Sequence, residues 1–210
     1  MATPLVIHDR NVMRELILSS RTIGRRVGFV PTMGSLHAGH TSLVDQAVAE
    51  CDDVVTSIFV NPSQFGPQED FEKYPRDFNA DFNLLARHNV CWIFAPDVHE
   101  MYPPGDSTRI EIGGPADPYE GTLRPGHFSG VATIVFRLLQ AVPSHAVYFG
   151  AKDWQQVLVV RQMVHDLRLD VQVMTCPTVR DTDGLALSSR NTYLNESERN
   201  RAQTIYAALQ

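Results

Sequence analysis

Two histidines, His37 and His40, stand three residues apart around a glycine in Met33-Gly34-Ser35-Leu36-His37-Ala38-Gly39-His40. An apolar run at 27–30 precedes this segment, and apolar residues recur at helical spacing after Thr41, so the pair lies between a strand end and a helix start. A helix N-terminus presents unpaired amides and a positive dipole end, which favour a bound phosphate. Imidazoles i and i+3 share one helical face and would add hydrogen-bond donors beside that anion. Two plainer uses compete: capping or padding the helix, and holding a metal ion. The metal use lacks an adjacent third ligand.

Other polar groups stand in loops that could meet the same anion. Lys152 lies between Gly150 and Asp153, just before a helical pattern, where an ammonium can neutralise phosphate charge. Ser188, Ser189 and Arg190 supply two hydroxyls and a guanidinium suited to phosphate oxygens, and the flanking Gly184 is expected to permit motion. Arg124 could bind phosphate, organise a lid or make a structural ion pair, and His127 reads as a packed loop residue. Gln68-Glu69-Asp70 reads as solvated loop, and His8, His88, His99, His145 and His165 belong to no constellation.

These groups need a scaffold, and the hydropathy pattern supplies one. A strand over 27–30 stopping at Pro31, a glycine loop and a helix from 41 to about 52 are followed by a β-branched run at 54–60, a breaker loop at 61–66 and a helix over 78–88. Further strands are predicted at 90–94, 108–112, 146–149 and 171–175, with helices at 129–140 and 153–167 and a long Gly/Pro-rich connection at 113–126. Strands alternating with helices predict an α/β fold, a doubly wound, Rossmann-like parallel sheet covered on both faces. Residues 1–176 form this unit in our reading. Asn195 and Glu198 then make an N-cap signature for a final helix, so 177–210 is expected to open a smaller C-terminal domain that the chain does not complete.

Composition narrows the classes. The net charge of −6, with no basic tract, argues against sequence-independent binding of nucleic acid. No apolar run approaches the roughly 20 residues of a membrane span, and the N-terminus lacks a signal pattern, so a soluble cytoplasmic protein is expected. Cys51, Cys91 and Cys176 are odd in number and widely spaced, which predicts reduced thiols and no metal site.

The string His37-Ala38-Gly39-His40 matches the H-x-G-H signature of the nucleotidyltransferase superfamily. Residues 28–40 (GFVPTMGSLHAGH), 59–65 (FVNPSQF), 124–128 (RPGHF), 149–156 (FGAKDWQQ) and 184–191, in that order, closely resemble the pantoate–β-alanine ligase (pantothenate synthetase) family. The resemblance covers most of the chain. It implies that ATP and pantoate form pantoyl adenylate and pyrophosphate, after which the β-alanine amine displaces AMP to give pantothenate, a precursor of coenzyme A.

The resemblance also implies site roles. His37, His40, Lys152, Ser188 and Arg190 would be catalytic, with Met33, Gly34, Gly150, Asp153, Val179, Leu187 and Ser189 completing the ATP site. Gly150 and Asp153 would meet the ribose, and Val179 the adenine through its backbone. Many relatives carry Met where Leu187 stands, a position that acts through its main chain. Gln64 and Gln156 would hold pantoate, since uncharged amides can both donate to and accept from hydroxyl and carboxylate groups. Asn61 would help steer β-alanine, Arg124 would assist at the same subsite, and residues around 67–70 would form a flexible cover. Mg2+ would be held chiefly by phosphate, with Asp81 its one candidate protein ligand. A homodimer is implied, and the apolar run 131–142 could contribute to it.

Members of the family continue past residue 210, so this stretch is expected to bind ATP and pantoate but turn over slowly. A related adenylyl- or cytidylyltransferase is the competing enzyme reading, and it would need cations for a phosphorylated substrate where this chain offers Gln64 and Gln156. A non-catalytic ligand-binding fragment is the competing reading outside catalysis.

Overall fold

The structure, a computed structural model, describes residues 3–210. Six strands, β1 (Leu5–Ile7), β2 (Val27–Thr32), β3 (Asp53–Ile58), β4 (Trp92–Phe94), β5 (Ala146–Gly150) and β6 (Gln172–Cys176), form one sheet. Its order is β1-β4-β3-β2-β5-β6, and every pairing is parallel. The connections carry α1 (Arg10–Thr22), α2 (Ala38–Glu50), α3 (Phe78–Leu85), α4 (Val98–Met101), α5 (Glu120–Leu123), α6 (His127–Ala141) and α7 (Trp154–Asp166). Helices α8 (Glu196–Ala202) and α9 (Thr204–Ala208) follow the sheet.

Alternation along β2 divides the core. Val27 and Phe29 point into one apolar layer with Met13 and Ile17 of α1, Val131 and Leu138 of α6, and Val157 and Met163 of α7. Val30 points into the other with Leu43, Val44 and Ala47 of α2, Leu85 of α3 and Tyr148 of β5. A parallel sheet buried on both faces requires continuous apolar strands, and Val27, Phe29 and Val30 are all fully buried.

The doubly wound architecture is as expected, and several boundaries and elements differ. Strand β1 and helix α1 lie outside the pattern read from sequence: β1 is only three residues long, and α1 is anchored by Asp9, whose carboxylate accepts from the amides of Asn11 and Val12 at 2.7 and 2.9 Å. Strand β2 runs through Pro31 to Thr32. The last β5 partner of β2 is Phe29, so Pro31 sits where β3 alone flanks the strand. Residues 108–112 form no strand. Their alternation reflects one face resting on α6, where the Ile110 amide donates to Thr133 Oγ1 at 2.9 Å, without a ladder partner among the described residues. The run 131–142 packs mostly into the core, with Phe136, Arg137 and Gln140 left at least partly exposed.

No helix of the described residues is long and apolar enough to cross a membrane, and all three cysteines are unpaired by disulfide.

Candidate active site

The sheet order reverses at β2: β3 and β4 are laid down on one side, β5 and β6 on the other. Loops leaving the carboxyl ends of β2 and β5 therefore diverge, and the crevice between them is where open α/β sheets bind ligands. A cavity of about 250 Å3 opens there, lined by Met33, His37 and His40 after β2 and by Gly150, Lys152 and Asp153 after β5.

Helix α2 starts three residues earlier than its apolar pattern indicates because His37 caps it. The Gly39 amide donates to His37 Nδ1 at 3.1 Å, and the His37 amide donates to His40 Nδ1 at 3.3 Å, a reciprocal capping box built from two imidazoles. Each Nδ1 is thus an acceptor, so each neutral ring carries its proton on Nε2. Burial pushes the His40 imidazolium down to about 3, helped by charge on His37 and Lys152, and burial and Lys152 lower His37 as well. The two rings, 4.1 Å apart between centroids, are therefore neutral N–H donors at pH 7. The capping and phosphate-binding uses are compatible: capping consumes Nδ1 and leaves Nε2 for an anion.

The turn before them is unusual. Gly34 has φ +81° and Ser35 has φ +52°, two consecutive left-handed residues. A side chain at Gly34 would also collide with Asp81, since its Cβ would stand 2.9 Å from Asp81 Oδ2. Asp81, on the first turn of α3 and 3% exposed, accepts from the amides of Ser35 at 2.9 Å and Leu36 at 2.7 Å. The Asp81 carboxylate lies beneath the loop, outside the lining of the 250 Å3 cavity, with each oxygen accepting one of those amides. No cluster of three acidic, His or Cys side chains that could hold a metal occurs among the described residues.

Across the cleft, Lys152 lies on a 3₁₀ turn (Ala151–Asp153) and its Nζ donates to Asp153 at 3.0 Å. Gln155 and Gln156 follow on α7 with different fates. Gln155 holds the carbonyls of Pro115 and Pro118 at 3.0 and 2.6 Å, whereas Gln156 lines the cavity. Gln64 lines the opposite wall, its Nε2 donating to Met33 Sδ at 3.1 Å. Asn61 is only 1% exposed, and its amide is fully committed: Nδ2 donates to Gln64 Oε1 and the Gly130 carbonyl, and Oδ1 accepts from Tyr102 Oη at 2.7 Å. It orients Gln64 from beneath. Tyr102 had no signal in its local sequence.

The remaining wall comes from 177–190. Val179 accepts from the Leu187 amide at 3.0 Å, and Arg180 pairs with Ala186 in an antiparallel bridge. Gly184 forms a turn with φ +86°, and a Cβ there would lie 2.5 Å from the Tyr206 ring. Ser188 Oγ accepts from the Arg190 amide at 3.3 Å, and Ser189 Oγ donates to the Ser35 carbonyl at 3.0 Å, joining this loop to the histidine loop.

Glu69 and Asp70 depart most from expectation, because neither is merely solvated loop. Arg124 forks onto Glu69 at 2.7 and 2.6 Å, and Arg190 forks onto Asp70 at 2.8 and 2.8 Å. Arg124 further contacts Glu120 at 2.7 Å and donates to His127 Nε2 at 3.1 Å, while His127 Nδ1 donates to the Gln64 carbonyl at 2.8 Å. Each carboxyl is held below its usual range by its arginine partner. Burial lowers the His127 imidazolium, consistent with a neutral ring used for packing and bridging. The cavity lining thus gathers Met33, His37, His40, Asn61, Gln64, Arg124, Gly150, Lys152, Asp153, Gln156, Val179, Leu187, Ser188, Ser189 and Arg190, and leaves out Gly34 and Asp81.

Comparison with known proteins places this arrangement. The pantoate–β-alanine ligase family model matches residues 5–210. Pantothenate synthetase of Thermodesulfovibrio yellowstonii is 52% identical over 97% of this chain and 73% of its own length, and that of Thermus thermophilus is 55% identical over 87% and 67%. A crystal structure of the Thermus thermophilus enzyme superposes with a TM-score of 0.93 at 50% identity, covering 98% of this chain and 73% of that one. The Francisella tularensis ligase, crystallised with a β,γ-ATP compound and β-alanine, superposes with a TM-score of 0.92 at 40% identity over 97% of this chain and 78% of that one. With a switch-point cleft, an imidazole-capped helix and similarity across its length, the chain belongs to the pantoate–β-alanine ligase family.

Proposed function

We propose that this cleft carries out the family's ATP-dependent ligation, with the phosphate transfer centred on the α2 N-terminus. One observation carries the assignment: two neutral imidazoles with free Nε2 protons stand at the β2/β5 switch point and share a cavity with Lys152, Ser188 and Arg190. The α-phosphate of ATP sits against His37, His40 and the first turn of α2. Pantoate lies between Gln64 and Gln156, with its carboxylate directed at that phosphorus. As the carboxylate oxygen bonds to phosphorus and the bond to pyrophosphate breaks, the Nε2–H groups and Lys152 stabilise the added negative charge. The free β-alanine amine then attacks the acyl carbon, AMP leaves with the bonding electrons, and the nitrogen gives up one proton to solvent to leave the amide.

The ribose meets Gly150 and Asp153, and the adenine meets the Val179–Leu187 ladder. Asn61 acts through Gln64, and Arg124 through Glu69 and His127. Met33 and Gly34 shape the loop, and Ser189 ties it to the 188–190 segment. Since the donor set around Asp81 does not fit a protein-held metal, Mg2+ belongs with the triphosphate of ATP. Residues 1–176 form the nucleotide and pantoate unit, and 177–210 belong to a second unit that lends its phosphate loop. We place the protein in the cytoplasm as a homodimer.

Pantoate-dependent exchange of labelled pyrophosphate into ATP tests the first half-reaction. Exchange that requires pantoate and is lost in His40→Ala is the expected outcome. A folded chain that binds ATP yet shows the same exchange with His40 replaced would overturn the assignment.

A further inference from the structure

The polar backbone of the turn before His37 is satisfied by side chains brought from other parts of the chain as well as by its own. The Gly34 amide donates to Thr32 Oγ1 at 3.2 Å, those of Ser35 and Leu36 donate to Asp81, and that of His37 donates to His40. On the outward side the Ser35 carbonyl accepts from Ser189, and Thr32 Oγ1 in turn donates to the Ser57 carbonyl on β3 at 2.6 Å. Successive amides in a left-handed turn converge on a concavity that takes an anion. Here the anion is internal, and α3 delivers it.

We infer that Asp81 is a positioning residue for the ligation: its carboxylate fills the amide nest of the 34–36 turn and so sets where His37, His40 and the first turn of α2 meet the reacting phosphate. The geometry supports this over a packing role. The Asp81 carboxylate makes a two-point contact through separate oxygens to adjacent amides, which fixes both the height and the tilt of the turn. Ser35 is held at φ +52°, a conformation that a non-glycine residue keeps only when its surroundings impose it. Leu36 directly precedes the helix cap, so a shift of its amide moves the His37 ring. The inference rests on the reading of His37 and His40 as the phosphate-facing groups.

Asp81→Asn preserves the shape and replaces one acceptor oxygen with an NH2 group facing an amide. In pantoate-dependent exchange we expect kcat to fall about tenfold or more, because small displacements of positioned groups are costly in rate. The KM for ATP should move by less than about threefold, and Mg2+ half-saturation should stay unchanged. In a His40→Ala background the same substitution should cost under about twofold, since residues acting through one another are non-additive. Amide hydrogen exchange on the unmutated protein, read without substrate, should show Ser35 and Leu36 strongly protected. Fully additive losses, a raised Mg2+ requirement, or fast exchange at those two amides would each overturn the inference. The exchange measurement holds even if Asp81→Asn fails to fold, and it is independent of whether the cleft binds ATP.

Discussion

The floor and the rim of the cleft are built from different interactions. On the floor, Thr32, Asp81, His37 and His40 accept backbone amides in a half-buried to buried setting. These bonds hold the main chain at one geometry with acceptors that the protein itself supplies. On the rim, Arg124 and Arg190 are paired to Glu69 and Asp70, carboxylates of the loop that follows the 62–64 turn. A guanidinium fork that fits a carboxylate also fits a phosphate, so an anionic substrate can take the place of either acid. The floor is held by bonds to the main chain, and we propose that the rim pairs are exchangeable. Transition-state stabilisation needs the first, and uptake and release of a charged substrate need the second.

The largest effect should come from the floor. His40→Ala is expected to lower kcat by about 10² or more with ATP affinity nearly intact, as for a donor aimed at developing charge. Single-turnover exchange against equilibrium ATP titration separates the two quantities, and a loss confined to affinity would move His40 to the rim class.

Acidity should also distinguish the floor. With its folded pKa lowered to about 3, His40 binds a proton less readily than in the unfolded chain, where it titrates near 6.5. Between those values the unfolded state holds more protons, so stability is complete above about pH 6.5 and declines as pH falls toward 3. Urea melts across this window should show a slope shallower in His40→Ala by up to one proton, about 1.4 kcal/mol per pH unit. Equal slopes would mean that the ring is solvated.

On the rim, Arg190→Lys keeps the charge and loses the fork, and we expect about a tenfold fall in kcat/KM for ATP. The smallest effect should follow removal of the internal competitor. Asp70→Asn is expected to lower the KM for ATP by about threefold, because a partly exposed ion pair is worth at most about 1 kcal/mol. The gain should shrink with added salt, and a raised KM would show that Asp70 supports Arg190 instead of competing for it.

Much of the floor is local, and local chemistry is legible. The strand, glycine loop and helix around 27–50 follow from hydropathy period and breakers, and the Asn195–Glu198 capping box was readable and is formed, with contacts of 2.9 and 2.9 Å. Strand β1, at three residues, carries too little periodicity to be read from sequence. Alternation at 108–112 reports that one face is covered and says nothing of a neighbouring strand. Gly184 has φ +86° and stands against the Tyr206 ring, a requirement that its place in the sequence does not announce.

The amino-acid sequence by itself determined the α/β plan, the imidazole pair at a helix start and the family, because periodicity, capping and motif strings are properties of short stretches. Only the tertiary structure decided that Asp81 serves the 34–36 turn, that Asn61 serves Gln64, and that Glu69 and Asp70 occupy the arginine forks. Asp70 and Arg190 lie 120 residues apart in the chain. Such pairs meet because β2 and β5 diverge at the switch point and the loops above them must share one crevice, and no local pattern encodes which charges will then face each other.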